Sequence, residues 1–132
     1  MTLVVDASVV VAALTDSGPA GTWAADLLAS DDLAAPHLML VESANILRRA
    51  ALAGMISDET ASLAHSDLLS LAVELFPYEP FGRRVWELRA KVTAYDAWYV
   101  ALAETLGIAL ATLDGGLVRA SGPRCGFRTW DR

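Results

Sequence analysis

Four acidic residues occupy positions where carboxylates are normally disfavoured, either at the end of an apolar run or within an apolar helical stretch: Asp6, Glu42, Asp96 and Asp114. Burying an ionised carboxylate costs several kcal/mol unless a cation or hydrogen bonds compensate it. A divalent metal ion is the simplest compensator for all four residues. An all-oxygen ligand set favours Mg²⁺ or Mn²⁺ over zinc. Because such an ion activates water and holds phosphate oxygens, the matching chemistry is hydrolysis of a phosphodiester bond.

Two of these acids follow predicted strands. Asp6 comes directly after the apolar run 2–5, and Asp114 comes directly after the run 108–113. Ligands of open parallel sheets gather at the carboxyl ends of the strands, so both side chains are predicted to lie at one edge of a sheet. Each acid also has a purely structural interpretation. Asp6 is suited to cap the following helix, and Asp114 is suited to open a turn.

Glu42 lies within a predicted helix, with Leu38 and Ile46 one turn away on its own side. A solvent-exposed glutamate is rarely flanked in this way, so the carboxylate is predicted to face the interior. Asn45, three residues further on, shares that face. Asn45 is predicted to orient the Glu42 carboxylate, and a buried amide bonded to the backbone is the equally weighted alternative.

Asp96 occupies the apolar side of another predicted helix, together with Tyr99 and Val100. The segment Thr93 to Asp96 also matches a capping box, with the acid at the third helical position. The two interpretations are compatible, because a residue in the first helical turn can cap the helix and still face a site. The strongest argument for a metal site is the occurrence of all four acids together.

Short strand-like runs alternate with longer helical ones, which is typical of an α/β domain with a largely parallel sheet. We predict one domain spanning residues 1–132. The predicted strands lie near 2–6, 33–35, 73–76, 108–112 and 127–130. The predicted helices lie near 7–14, 20–29, 38–53, 58–70, 81–92 and 95–106, with a short one after Gly115 and Gly116.

The composition is strongly apolar. Hydrophobic residues make up 55% of the chain, and the mean hydropathy is +0.40. Because soluble domains average roughly 45–50% even with glycine included, we expect extra apolar surface for a partner. No apolar stretch reaches the ~18 residues of a membrane span, and the N-terminal residues lack the basic region of a signal peptide. Together with the single cysteine, Cys125, these features predict a cytoplasmic protein without an intramolecular disulfide.

The net charge of −6 argues against a nucleic-acid ligand, because phosphate contacts usually require a basic surface. Part of this negative charge is accounted for if four acids hold a metal ion. All but one of the ten basic residues are arginine, which suits bidentate contact with phosphate, although single arginines also occur as solvated surface charges. The exception is Lys91.

Several other enzyme classes fit the residues poorly. A receiver domain needs an acidic pair after its first strand, whereas Asp6 is flanked by Val5 and Ala7. A haloacid-dehalogenase-like phosphatase needs Asp-x-Asp, and Ser8 stands at the second position. The glycine fingerprints of Rossmann and P-loop enzymes are missing. An interaction or RNA-binding module without turnover remains the alternative to a hydrolase.

The motifs together resemble those of the PIN-domain nucleases. They comprise Val4-Val5-Asp6-Ala7-Ser8, Glu42 with Asn45 and Leu47-Arg48, Tyr95-Asp96 followed by Ala101, and Thr112-Leu113-Asp114. In size and order of motifs the chain is similar to VapC-type toxins of bacterial toxin–antitoxin pairs. The resemblance extends over essentially the whole chain.

This resemblance implies a PIN-like three-layer α/β domain with a mostly parallel central sheet flanked by helices. It implies a Mg²⁺- or Mn²⁺-dependent endoribonuclease that forms a homodimer and is inhibited by a cognate antitoxin. The catalytic and metal-binding residues would be Asp6, Glu42, Asp96 and Asp114, with supporting roles for Ser8, Asn45 and Thr112. Many relatives carry a further acid just beyond the position of Asp114, but the next four residues here supply none. A second metal ion is therefore expected to bind weakly or only with substrate.

Overall fold

Five parallel strands form one sheet in the computed structural model, which describes residues 1–131. In chain order the strands are β1 (Thr2–Val5), β2 (Asp32–Pro36), β3 (Glu74–Phe76), β4 (Leu110–Ala111) and β5 (Phe127–Arg128). Their order across the sheet is β3-β2-β1-β4-β5, and every neighbouring pair is parallel. The predicted α/β class and the mostly parallel sheet are confirmed.

Helices cover both faces of the sheet. They are α1 (Ala7–Thr15), α2 (Pro19–Ser30), α3 (Leu38–Leu52), α4 (Asp58–Leu69), α5 (Gly82–Glu87), α6 (Ala94–Leu106) and α7 (Gly115–Arg119), with a 3₁₀ turn at Glu79–Phe81. For parallel strands connected in this order, the right-handed crossover rule assigns α1 to α4 to one face and α5 to α7 to the other. Accordingly, α1 packs against α2, α3 and α4, while α6 packs against α5. None of the helices in residues 1–131 is long and apolar enough to cross a membrane.

The centre of the core is formed by β1 and α6. Leu3, Val4 and Val5 are completely buried, as expected for a central parallel strand that is covered on both faces. On α6 the four consecutive residues 100–103 are also completely buried. Because Asp6 follows this central strand directly, its backbone is held by the best-packed part of the molecule.

The helix predicted near 81–92 is wrong in length. The observed α5 ends at Glu87, and the chain then passes through tight turns before α6 begins. The Leu88 amide donates to carbonyls three and four residues back, and the Lys91 amide donates to the Leu88 carbonyl. Because no glycine or proline marks this helix end, the sequence pattern did not reveal it. The segment 89–93, which is exposed except at Val92, results from this early end.

A close backbone approach joins the end of α1 to α2. Gly21 is buried near the start of α2, and a Cβ atom added there would lie 1.8 Å from the Asp16 carbonyl oxygen. No real Cβ contact is that short, so any side chain at this position must displace backbone. The requirement for glycine at position 21 is therefore steric.

We predict that Gly21→Ala destabilises the protein by at least about 1–3 kcal/mol, because the overpacked contact is with backbone rather than with a flexible side chain. In an exposed helix the same change would stabilise by up to ~1 kcal/mol, so the sign of the effect is diagnostic. Urea unfolding measures it. The control is Gly126→Ala, whose added methyl group meets nothing within 4 Å. Equal stability of both variants would contradict the steric argument.

Candidate active site

All four predicted acids line one cleft of about 150 Å³ at the carboxyl edge of the sheet: Asp6, Glu42, Asp96 and Asp114. Asp6 follows β1, and Asp114 lies three residues after the end of the adjacent strand β4. Glu42 comes from α3 on one face of the sheet, and Asp96 comes from α6 on the other. The fold thus brings together four residues that are spread over more than 100 positions of the sequence.

The Asp6 carboxylate is held at both of its oxygens. Oδ1 accepts hydrogen bonds from the Ser8 hydroxyl and from the Val9 amide, and Oδ2 accepts one from the Thr112 hydroxyl. Burial raises the pKa of Asp6, and these hydrogen bonds oppose the rise because they stabilise the charged form. The bond from Val9 makes Asp6 the N-cap of α1, so the capping interpretation holds alongside the clustering.

The same two hydroxyl groups also tie together the loops that follow β1 and β4. Ser8 Oγ accepts a 3.0 Å hydrogen bond from the Leu113 amide, and Thr112 Oγ1 accepts a 3.0 Å bond from the Asp114 amide. Each hydroxyl therefore donates to Asp6 and accepts from the backbone beside Asp114. This double use fixes the spacing between two of the acids.

Glu42 is oriented by a residue that the sequence analysis did not single out for this role. The Tyr99 hydroxyl donates a 2.6 Å hydrogen bond to Glu42 Oε1, and Tyr99 is only 1% exposed. Burial raises the pKa of Glu42, the bond from Tyr99 lowers it, and the charge of Asp6 raises it. Because a buried tyrosine hydroxyl normally has a partner, the position of Tyr99 on the same helix face as Asp96 was a usable signal.

The predicted role of Asn45 is not supported. Its side chain is exposed, and no hydrogen bond joins it to Glu42 within residues 1–131. The alternative interpretation, a buried amide bonded to the backbone, fails for the same reason. Asn45 lies three residues after Glu42 on α3, and its side of the helix faces solvent.

The remaining two acids stand at the starts of helices. The Thr93 hydroxyl accepts from the Asp96 amide and caps α6, and Asp114 Oδ1 accepts from the amides of Gly116 and Leu117 and caps α7. Burial raises the pKa of Asp96 to about 6, and the charges of Asp114, Asp6 and Glu42 add to the rise. The influence of all three other acids on Asp96 shows how tightly the carboxylates are clustered.

The donor chemistry of the cleft fits a hard divalent cation. Four carboxylates supply only oxygen ligands, and a cation among them would relieve the repulsion that raises the pKa of Asp96. No group of three or more acidic, histidine or cysteine side chains in residues 1–131 is already arranged to coordinate an ion. Coordination by three or more of these side chains therefore requires at least one carboxylate to turn toward the others. Their role as metal ligands remains a prediction.

The sequence model of the PIN domain family matches residues 3–123, and the chain belongs to that family. The resemblance inferred from the sequence motifs is therefore confirmed.

Within the family, the chain is similar to the ribonuclease VapC1 of Mycobacterium tuberculosis, with 42% identity over 123 residues and 92% of each chain covered. Two solved structures share the fold. The VapC20 toxin of Mycobacterium tuberculosis, described as cleaving the sarcin–ricin loop, superposes with a TM-score of 0.67 at 21% identity and covers 87% of this chain and 92% of its own. The structure of VapBC2 from Rickettsia felis, bound to a promoter DNA fragment, superposes with a TM-score of 0.68 at 16% identity. The match covers 99% of this chain and 100% of the other.

We predict that the metal-free protein loses stability as the pH rises from about 4 to about 6. The folded-state pKa of Asp96 lies above its unfolded value of 3.8, so the folded state binds the proton more tightly. This tighter binding adds to the free energy of unfolding at low pH, and the contribution is lost as the proton dissociates. Allowing for solvent screening, the loss is on the order of 1–2 kcal/mol. Asp96→Asn should flatten this part of the profile in urea unfolding with EDTA, whereas Asp26→Asn, at an exposed position on α2, should not. Parallel profiles for both variants would disprove the prediction.

Proposed function

We propose that the protein is a metal-dependent endoribonuclease, the toxin of a toxin–antitoxin pair, that hydrolyses RNA with a water molecule activated by Mg²⁺ or Mn²⁺. The observation that carries this proposal is the convergence of four carboxylates, from four separate elements of the fold, on one cleft. The family membership supports it, as do the ribonuclease name of the relative VapC1 and the RNA-cleaving description of VapC20. Cellular RNA as substrate implies action in the cytoplasm.

The ion would be held by Asp6, Glu42, Asp96 and Asp114. When bound, it supplies Lewis-acid stabilisation of the phosphate and lowers the pKa of a coordinated water. The chain itself contributes orientation. Hydrogen bonds from Ser8 and Thr112 fix Asp6, and the Tyr99 hydroxyl fixes Glu42, so two of the ligands are held in place before substrate arrives.

Water rather than a side chain is the proposed nucleophile. The only hydroxyl groups that contact the acids within residues 1–131 are those of Ser8, Thr93, Thr112 and Tyr99, and each is engaged in a hydrogen bond. Ser8 and Thr112 both donate to Asp6 and accept from backbone amides, and Thr112 is fully buried, so we assign both hydroxyls the role of positioning Asp6. With the 3′-oxygen as the leaving group, as the resemblance to PIN-domain nucleases implies, attack by water leaves a 5′-phosphate and a 3′-hydroxyl.

We predict that purified protein cleaves single-stranded or loop RNA with Mg²⁺ or Mn²⁺ and that EDTA abolishes the activity. Asp6→Asn should reduce kcat at least about 100-fold, because a metal ligand loses its charge. The exposed-site variant Asp26→Asn is the control and should cleave at the wild-type rate. End-group analysis should find 5′-phosphates. Products ending in a 2′,3′-cyclic phosphate would instead show attack by the RNA's own 2′-hydroxyl and refute the mechanism.

We predict that Tyr99→Phe lowers kcat about tenfold and weakens Mn²⁺ binding, because Glu42 loses the bond that orients it, worth on the order of 1.5 kcal/mol. The KM for RNA should change little. Calorimetric titration and steady-state kinetics measure these effects. Tyr95→Phe is the matched control, because Tyr95 lies on the same helix but is 60% exposed. If both variants bind Mn²⁺ with wild-type affinity, Tyr99 is only a core residue.

We further propose that the protein binds a cognate antitoxin and forms a homodimer. Exposed apolar side chains on and between α3 and α4 support an apolar interface: Val41, Leu52, Met55, Leu63 and Leu69. All are at least 65% exposed, which is the extra apolar surface expected from the composition. One solved structure that shares this fold is described as VapBC2 bound to a DNA fragment from their promoter, which supports a protein partner. A basic antitoxin residue that enters the acidic cleft would displace metal and substrate together.

The competing function is an interaction or RNA-binding module of the same fold without turnover. One feature favours it, namely that the carboxylates are not already arranged around a common coordination point. Metal-dependent RNA cleavage by the wild-type protein, absent in Asp6→Asn, excludes this alternative. RNA binding without cleavage in either protein would support it.

A further inference from the structure

A second, larger pocket of about 450 Å³ opens beside the acidic cleft. Asp96 and Asp114 line both spaces, so the two are adjacent. Its other walls are the segment 89–93, which connects α5 to α6, and the exposed surface of α7. We call it the cationic pocket, after the Arg89 and Lys91 side chains that line it. Its volume falls within the roughly 300–1,000 Å³ usual for ligand pockets.

The charge of Arg89 is held in place by Trp86. The Arg89 guanidinium carbon lies 4.7 Å from the centre of the Trp86 ring, and Nη1 donates a 2.8 Å hydrogen bond to the Trp86 carbonyl. Trp86 itself is 66% exposed. A guanidinium stacked on an aromatic ring loses less freedom on binding a ligand than a free one, because its position is already restricted.

Neither cation of the pocket is neutralised by an acid. The ion pairs within residues 1–131 are formed by Arg84 and by the N-terminal amine, and neither Arg89 nor Lys91 takes part in one. Arg84 differs in this respect, because its Nε donates a 2.7 Å hydrogen bond to Glu104, and this ion pair neutralises its charge. Two positive charges in a chain of net charge −6 thus remain unpaired among the residues that line a pocket together with Asp96 and Asp114.

We propose that the cationic pocket binds the backbone phosphate of the nucleotide adjacent to the cleaved bond, with Arg89 and Lys91 as its contacts. This inference rests on the proposed function, because it takes an RNA strand lying across the acidic cleft as its starting point. A phosphate approaching four carboxylates is repelled, and the neighbouring cations offset this repulsion at the point where the strand leaves the cleft. The N-terminal end of α6, where Thr93 forms part of the pocket wall, adds the positive end of a helix dipole.

The test uses Arg89→Gln and Lys91→Gln. RNA binding is measured in the Asp6→Asn background, with Mg²⁺, by the fluorescence anisotropy of a short labelled single-stranded RNA over a series of salt concentrations. Each change should weaken binding roughly three- to tenfold and reduce the slope of log K against log salt by about 0.7. Trp86→Ala, which keeps every charge, should weaken binding in the same direction but leave the salt slope nearly unchanged.

The matched control is Arg124→Gln, which removes one positive charge near the start of β4, at the opposite edge of the sheet. It should leave both the affinity and the salt slope near the values of its Asp6→Asn parent. In otherwise wild-type protein, Arg89→Gln and Lys91→Gln should raise the KM for RNA more than they lower kcat, with unchanged Mn²⁺ affinity.

Three outcomes distinguish failure of the phosphate subsite from failure of the proposed function. If wild-type protein cleaves RNA but the pocket variants bind as Arg124→Gln does, the cationic pocket is not a phosphate subsite and the proposed function stands. If the pocket variants lose affinity with a reduced salt slope, the subsite is established. If the wild-type protein neither binds nor cleaves RNA, both the subsite and the proposed function are wrong.

Discussion

Burial of carboxylates close to one another is the constraint that the surrounding structure has to balance. Burial raises the pKa of Asp96 to about 6, with a further contribution from the charges of the three other acids; burial and the charge of Asp6 raise the pKa of Glu42, and burial raises that of Asp6. Hydrogen bonds from the hydroxyls of Ser8, Thr112 and Tyr99 oppose these rises, and the starts of helices add to the compensation. Asp6 caps α1, Asp114 caps α7, and Asp96 lies in the first turn of α6, so three carboxylates face the positive ends of helix dipoles. Structural capping and clustering of charge are thus performed by the same residues.

The parallel sheet explains why these helix starts meet. Each helix that begins just after a strand has its N-terminus at the carboxyl edge, so α1 and α7 open side by side after the neighbouring strands β1 and β4. Side-chain hydrogen bonds then fix the details. The hydroxyls of Ser8 and Thr112 span the two loops, and the bond from Tyr99 to Glu42 joins the helical layers on opposite faces of the sheet.

The sequence was most informative where the signal is local. Asp6 and Asp114 could be located because an apolar run that ends in an acid marks the end of a strand, and the hydroxyls of Ser8 and Thr112 indeed contact Asp6. Tyr99 was missed as the partner of Glu42, because the two are 57 positions apart and only the packing of α6 against the sheet brings them together.

The expected bond from Asn45 to Glu42 is not observed, because helical spacing fixes the relation between two residues but not which way the helix faces. The cationic pocket was hidden for a different reason. The predicted helix near 81–92 would have placed Arg89 and Lys91 on an ordinary helix surface, whereas the early end of α5 places them in a turn that lines the pocket. The presence of these two cations in the pocket wall thus depends on where α5 ends.

Because β1 pairs with β4, which lies far along the sequence, the acidic cleft can form only late in synthesis. During synthesis β1 can pair with β2 early, because only about 26 residues separate their ends, but its other neighbour begins at Leu110. The hydrogen bond from Thr112 to Asp6 spans 106 positions, so the edge of the cleft formed by Thr112 and Asp114 is contributed by one of the last parts of the fold to be made. A growing chain therefore carries scattered carboxylates rather than a site. The complete cleft can therefore form only after nearly the whole domain has emerged from the ribosome.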